Sequence, residues 1–308
     1  MSATTGGAAI TPGDDYQLPF DPASPLVASG NLKRRMVISR FAQIVSTLGA
    51  FAAVAALGIM LYTVVSQGID AISIDFLTKN PTEGGIGPSI VGTAIITLLA
   101  TAIATPIAVM TAVYTTEFAN PRFGGVVRLT LDMMNGLPTI IVGIFIYGLL
   151  VAGRHQNGFA AALALAVIML PMIARTTQEV LSLVPRSLRE GAEALGVPRW
   201  RVIIGAILPT ITGAVMTAVV LAAARAAGET APQILTNLVS PNTYVLNPFA
   251  DHAMPNIPVT IFQLSEAADP TGFQRAWGSA LTLMTLILIA NVFARTMLNR
   301  TRKKYESS

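Results

Sequence analysis

Cysteine is absent from the 308 residues, which excludes disulfides, thiolate metal sites and thiol nucleophiles. The two histidines, His155 and His252, lie too far apart in sequence for a zinc motif. Charged residues make up only 12%, against roughly a quarter in soluble domains. No Gly-x-x-x-x-Gly-Lys-Ser/Thr run occurs, so the chain lacks the loop that cradles nucleotide phosphates; if ATP drives it, another chain hydrolyses the ATP. No period of repeat length recurs. With charge this scarce, a net +4 reports orientation in a membrane rather than affinity for nucleic acid.

What is abundant is apolar: 53% of the residues, gathered into six runs near 41–65, 90–116, 129–151, 158–177, 202–227 and 276–298. Each is about as long as the roughly 20 residues that cross hydrocarbon. The expected fold is an all-α membrane protein of six transmembrane helices. Residues 1–36 are expected to form a flexible cytoplasmic tail, 37–300 a transmembrane domain, and 301–308 a cytoplasmic C-terminus. Pro106, Pro138, Pro171 and Pro209 fall inside spans, where each is expected to kink its helix. The polar stretch 229–275 is too long for a mere connector, so short helices or a segment dipping back among the spans are expected there. With the tail in the cytoplasm, 16 of the 20 basic residues fall on the cytoplasmic side, which favours six spans with both termini inside.

Ser187 to Pro209 carries start and stop signals for a short surface helix. Ser187 is positioned to cap it, with Glu190 three residues on, and Gly196 followed by Pro198 ends it. Gly191, Ala192 and Leu195 give it small approachable faces, suited to seating in another protein's groove. The rival reading is an ordinary loop helix.

At the far end of the fifth span, Arg225 and Glu229 are four apart and share a helical face. An arginine inside a span is a functional candidate by default. Arg225 lies 16 residues beyond Pro209, about 24 Å along a helix, and is expected toward the outer part of its span. Its planar fork of donors suits a tetrahedral oxyanion, with Thr230 adding a hydroxyl and Glu229 orienting the fork. The rival reading is a snorkelling interfacial ion pair. Arg175, at the expected cytoplasmic end of the fourth span, reads as an interface anchor. Asp132, at the expected start of the third, suits a helix N-terminus.

Several of these stretches resemble a known family. Glu190-Gly191-Ala192, Gly196 and Leu208-Pro209 resemble the EAA signature of ABC-importer permeases, with Gly191 in place of the first alanine and Ala206 in the isoleucine slot. Arg225-Ala-Ala-Gly-Glu-Thr-Ala-Pro232 is similar to the RxxGETAP stretch of phosphate-specific ABC permeases. Gly84-Gly85-Ile86, Ile90 to Thr93, Leu170 to Thr177 and Asn256 to Phe262 are further matches, and the sequence is identified as a PstA-type permease. The resemblance implies the type I importer (MetI-like) fold, with its core at 86–298 and a coupling loop at 178–201. It implies phosphate as cargo and no cofactor in this chain. It also implies a homologous PstC-type subunit, two PstB-type ATPase subunits that bind ATP and Mg, and a PstS-type binding protein. By the same resemblance Arg225 and Arg175 are functional arginines, and Ser187, Glu190, Gly191, Ala192, Leu195 and Gly196 form the coupling helix that docks on the ATPase. A sulfate or molybdate importer and an ion-coupled secondary transporter are the other readings the residues allow.

Overall fold

The computed structural model describes residues 32–306 apart from 268, with side chains described for 34–267 and 269–296. All regular structure in the described residues is helical. The expected tail lies outside the described residues, except that α1 (Leu32–Gly68) begins inside its last five positions. At the other end α12 (Pro270–Glu306) continues through most of the stretch assigned to a C-terminal tail.

The described residues fall into two units, divided between Met60 and Leu61. The described part of the first is the N-terminal portion of α1, whose large apolar side chains, Phe41, Leu48, Phe51 and Val54 among them, are exposed. Hydrocarbon is the solvent that suits such a helix, because its backbone groups are already bonded within it.

The second unit is built around α3 (Gly87–Val113) and α6 (Gly158–Leu183), the most extensive helix pair. Ala100, Ala104, Ala108 and Ala112 line one face of α3 at four-residue spacing and are 0–1% exposed. Side chains this small let backbones approach closely, which in a bilayer stands in for a hydrophobic drive between helices. α6 answers with Ala161, Ala162, Leu165, Ala166, Met169 and Ile173, all buried. α9 (Leu208–Ala227) packs on α6, α3 and α12.

Among the described residues, five helices are long and apolar enough to cross a membrane. The third expected span differs from expectation: it is two helices, α4 (Pro121–Gly136) and α5 (Thr139–Ile146), bent by 99°. Leu137 is extended at φ −72°, ψ 136° because the following Pro138 ring disfavours the helical region for it, and Gly136 at the helix end offers no competing preference. Pro106 and Pro171 lack that glycine partner and stay inside continuous helices. Pro209 follows a π-helical turn, Ile203–Ile207, that links α8 (Arg199–Val202) to α9. Two more π-turns close α3 (Tyr114–Phe118) and α5 (Tyr147–Val151).

The 229–275 stretch does contain short helices, α10 (Ala231–Asn237) and α11 (Ile257–Glu266). It folds back onto the start of α3. The Ile257 N–H donates to Thr93 Oγ1 at 2.8 Å, Ser89 and Thr260 share a 2.8 Å hydroxyl bond, and a Cβ on Gly92 would overlap the Pro255 carbonyl oxygen. Buried Asn237 holds the connection in place, donating to the Met254 carbonyl at 2.6 Å and accepting from the Met254 N–H at 2.7 Å. Two sequence stretches some 160 residues apart thus meet at one end of the bundle.

Candidate functional site

Arg225 is the eighteenth residue of α9, but its surroundings are not those of a span end. It lines a small cavity of about 50 Å³ with Val167, Ile168 and Met172 from the middle of α6 and with Asn135, Leu137 and Thr139 at the α4–α5 break. The expectation of a peripheral arginine is therefore corrected. Beyond α9 the chain does not leave the bundle; α10 packs against α5 and α6, with the Pro232 backbone against Gly143. A span end read from hydropathy alone misses this continuation because α10 is polar, its Gln233, Thr236 and Asn237 being buried by tertiary packing.

The Arg225 Nε contacts Glu229 Oε1 at 3.5 Å, at the limit of a hydrogen bond. The guanidinium side chain is 59% exposed and the carboxylate 17%. The acid is thus held by the fold while the fork is presented outward, with its two terminal nitrogens uncommitted among the described residues. Thr230 is half-buried at the start of α10, and its side chain makes no cap bond there. The arrangement offers a positive, multiply donating group beside a break in the backbone, tethered loosely to its own counter-charge.

Arg175 is also relocated. α6 runs on to Leu183, so the first six residues of the expected coupling loop are helical and Arg175 lies two turns inside. Its Nε pairs with Asp132 Oδ1 at 2.8 Å, and its Nη1 donates to Gln178 Oε1 at 3.3 Å. Asp132 in turn is the twelfth residue of α4, not its N-terminus, so a carboxylate–arginine pair across two helices replaces both the dipole and the anchor readings. Arg175 does not share the Arg225 cavity.

The short helix is α7 (Arg186–Ala194). Its start corrects the expected cap: Pro185 is the N-cap residue, with no side-chain cap bond, and Ser187 is already the second residue of the helix, with Glu190 behind it. Pro185 at φ −56° presets the helix entry two residues earlier than a Ser187 cap would. Its end is as expected. Gly196 has φ +72°, its N–H donates to the Glu193 carbonyl at 2.9 Å, and the Val197 N–H donates to the Ala192 carbonyl at 3.1 Å. Those two bonds with a left-handed glycine are a Schellman closure. Leu188, Gly191 and Leu195 share the outward face, Leu195 being 83% exposed, while Ala192 turns inward onto the core.

Two residues on the inward side carry weight that no local pattern signals. Arg189 donates from Nη2 and Nε to the two oxygens of Glu117, at 2.7 and 3.1 Å, and from Nη1 and Nη2 to the Val184 and Leu181 carbonyls, at 2.8 and 3.0 Å. It closes the C-terminus of α6 and grips the π-turn of α3 together. Only the fold brings positions 72 apart into register.

Comparison with known proteins agrees with this architecture. Residues 104–303 match the family described as binding-protein-dependent transport system inner membrane component. A phosphate transport system permease protein PstA of Yersinia pestis is 34% identical over 77% of this chain and 82% of its own length. Its namesake in Xylella fastidiosa strain 9a5c is 34% identical over 88% and 96%. A probable PstA from Methanocaldococcus jannaschii is 35% identical over 74% and 82%. Among solved structures, a bacterial alginate ABC transporter crystallised with its pentasaccharide-bound periplasmic protein aligns at TM-score 0.63 and 16% identity, covering 88% of this chain and 96% of the other. The inward-facing MetNI methionine ABC transporter aligns at 0.57 and 16%, covering 74% and 99%. This chain belongs to the binding-protein-dependent transport inner membrane components and, within them, to the PstA-type phosphate permeases.

Proposed function

We propose that this chain carries inorganic phosphate across the cytoplasmic membrane as one permease half of an ATP-driven importer. It does so beside a homologous PstC-type subunit, with both termini in the cytoplasm. A PstS-type protein delivers the anion from outside, and two PstB-type subunits bind ATP and Mg and supply the work. The observation that carries the reading is the Arg225 fork, exposed beside the α4–α5 break at the level of the middle of α6, with Glu229 held behind it. A donor set like this replaces part of a phosphate's hydration, and a 3.5 Å tether to Glu229 lets the guanidinium swing to the anion and back. The outward face of α7, Leu188-Gly191-Leu195, seats in a groove of the ATPase, and ATP-driven closure there changes which side of the path is open.

The test is phosphate uptake and ATP hydrolysis in the reconstituted complex carrying Arg225→Ala. Uptake is expected to be lost while ATP hydrolysis persists, with Arg225→Lys intermediate because an ammonium keeps the charge and loses the fork. Uptake at the original rate in Arg225→Ala would remove this residue from the path.

A further inference from the structure

Motion of α7 has an obvious covalent exit, through Gly196 and α8 into the π-turn at Ile203–Ile207 and so into α9. The structure contains a second connection. We propose that Arg189 and Glu117 are a positioning pair that makes α7 and the π-turn of α3 move as one body, and that this turn passes the displacement on to Arg175. The proposal rests on the reading of α7 as the ATPase contact and adds how its movement reaches the bundle.

The geometry runs in unbroken contact. The Arg189–Glu117 pair is bidentate and shielded, the side chains being 23% and 10% exposed, the form in which an ion pair fixes orientation as well as distance. Glu117 belongs to the same π-turn as Thr115, two residues earlier. Thr115 Oγ1 donates to the carbonyls of Thr111 and Ala112, at 2.7 and 3.1 Å, and accepts from Gln178 Nε2 at 2.7 Å. Gln178 Oε1 then accepts from Arg175, which pairs with Asp132 on α4. The amide has one workable orientation, because Arg175 only donates and must face the carbonyl oxygen. Thr115 and Gln178 are 4% and 6% exposed, so breaking their bond strands polar groups away from water. A π-turn holds about one residue more per turn than the helix around it, so the helix can change register there without unfolding. The pair thus ties α7 to such a turn from the cytoplasmic side, and Gln178 ties the same turn to Arg175 from within the bundle.

Two measurements on the assembled complex test this. The chain has no native cysteine, so spin labels on Arg186→Cys at the start of α7, outside the face assigned to the ATPase, and Phe118→Cys at the end of the π-turn report one distance. That distance is expected to be the same without nucleotide and with ATP bound, and to broaden or shift between the two states when Glu117→Gln is added. A nucleotide-dependent change in the chain with Glu117 intact would overturn the proposal whatever the fate of the variant. In unlabelled complexes, Glu117→Gln, Arg189→Lys and the double variant are each expected to lower binding-protein-stimulated ATP hydrolysis on the order of tenfold. Basal hydrolysis and recovery of the ATPase subunits should be unchanged, and the double variant no worse than either single one. Stimulation at the original level, or a loss matched by basal hydrolysis or assembly, would overturn it. The underlying reading fails separately: Leu195→Asp, which touches neither partner of the pair, should release the ATPase subunits, and full retention would refute α7 as their contact while leaving the two distance outcomes interpretable.

Discussion

Two glycines five residues apart, one within α7 and one just past its end, are expected to respond to the same substitution with opposite sign. Gly191 sits mid-helix, exposed, with nothing within 4 Å of an added Cβ. Alanine there removes a backbone-entropy cost and should stabilise the helix by about 0.8–1 kcal/mol. Gly196 is also unobstructed, but its φ of +72° places an alanine Cβ against the following carbonyl, a penalty of about 1–2 kcal/mol. Because RT is about 0.6 kcal/mol, these differences correspond to roughly fivefold slower exchange for Gly191→Ala and roughly fivefold to thirtyfold faster exchange for Gly196→Ala. The assay is hydrogen exchange of the amides at 190–197 in the full chain in nanodiscs without ATPase subunits, under conditions where closing outpaces intrinsic exchange and the rate follows the local opening equilibrium. The Val197 and Gly196 amides close the Schellman motif and should report the second variant most strongly. Shifts of the same sign in both variants would refute the assignment of Gly196 to the left-handed cap and of Gly191 to an open helical face.

Asn237→Ala should destabilise the second unit by about 1–3 kcal/mol, read as a lower thermal midpoint, because it orphans the buried Met254 N–H; the Met254 carbonyl keeps a 3.4 Å contact from Asn256. Gly92→Ala should cost a similar 1–3 kcal/mol through overlap with the Pro255 carbonyl, and an unchanged midpoint would show that α11 does not seat there. Asp269 begins α12, accepting from the Thr271 hydroxyl and from the Thr271 and Gly272 N–H groups, and these bonds hold its carboxyl below the ordinary 3.8. Since the folded value is the lower one, its contribution is present above pH 3.8 and is lost as pH falls through the folded value. The protection factors at 271–273, taken against the intrinsic exchange rate at each pH, should accordingly be flat from about pH 5 to 8 and fall in acid, and Asp269→Asn should flatten the acid limb.

Composition and periodicity were sufficient for the helical class, five of the six spans and the glycine-closed end of α7. Each of these depends on neighbours within a few residues: apolar length against hydrocarbon, a left-handed glycine, a following proline. The Arg225–Glu229 contact was legible for the same reason, being an i,i+4 pair on one helix. The depth of Arg225 was not, because α10 is polar and is buried only by α5 and α6. Nor was the break at Pro138, where Gly136 and Pro138 act together and a hydropathy window averages over both.

The start of α7 was misread because a capping-box pattern beginning at Ser187 competes with Pro185, and the fold favours the earlier entry that turns Arg189 inward. Tertiary structure alone decided which charges meet between distant helices. Arg175 with Asp132 and Arg189 with Glu117 are 43 and 72 residues apart in the chain, and no sequence spacing encodes them. A one-dimensional pattern specifies which face of a helix is apolar. Which polar group waits opposite it is set by how the helices pack, and a dry interior allows a charge there only where a partner has been brought to it.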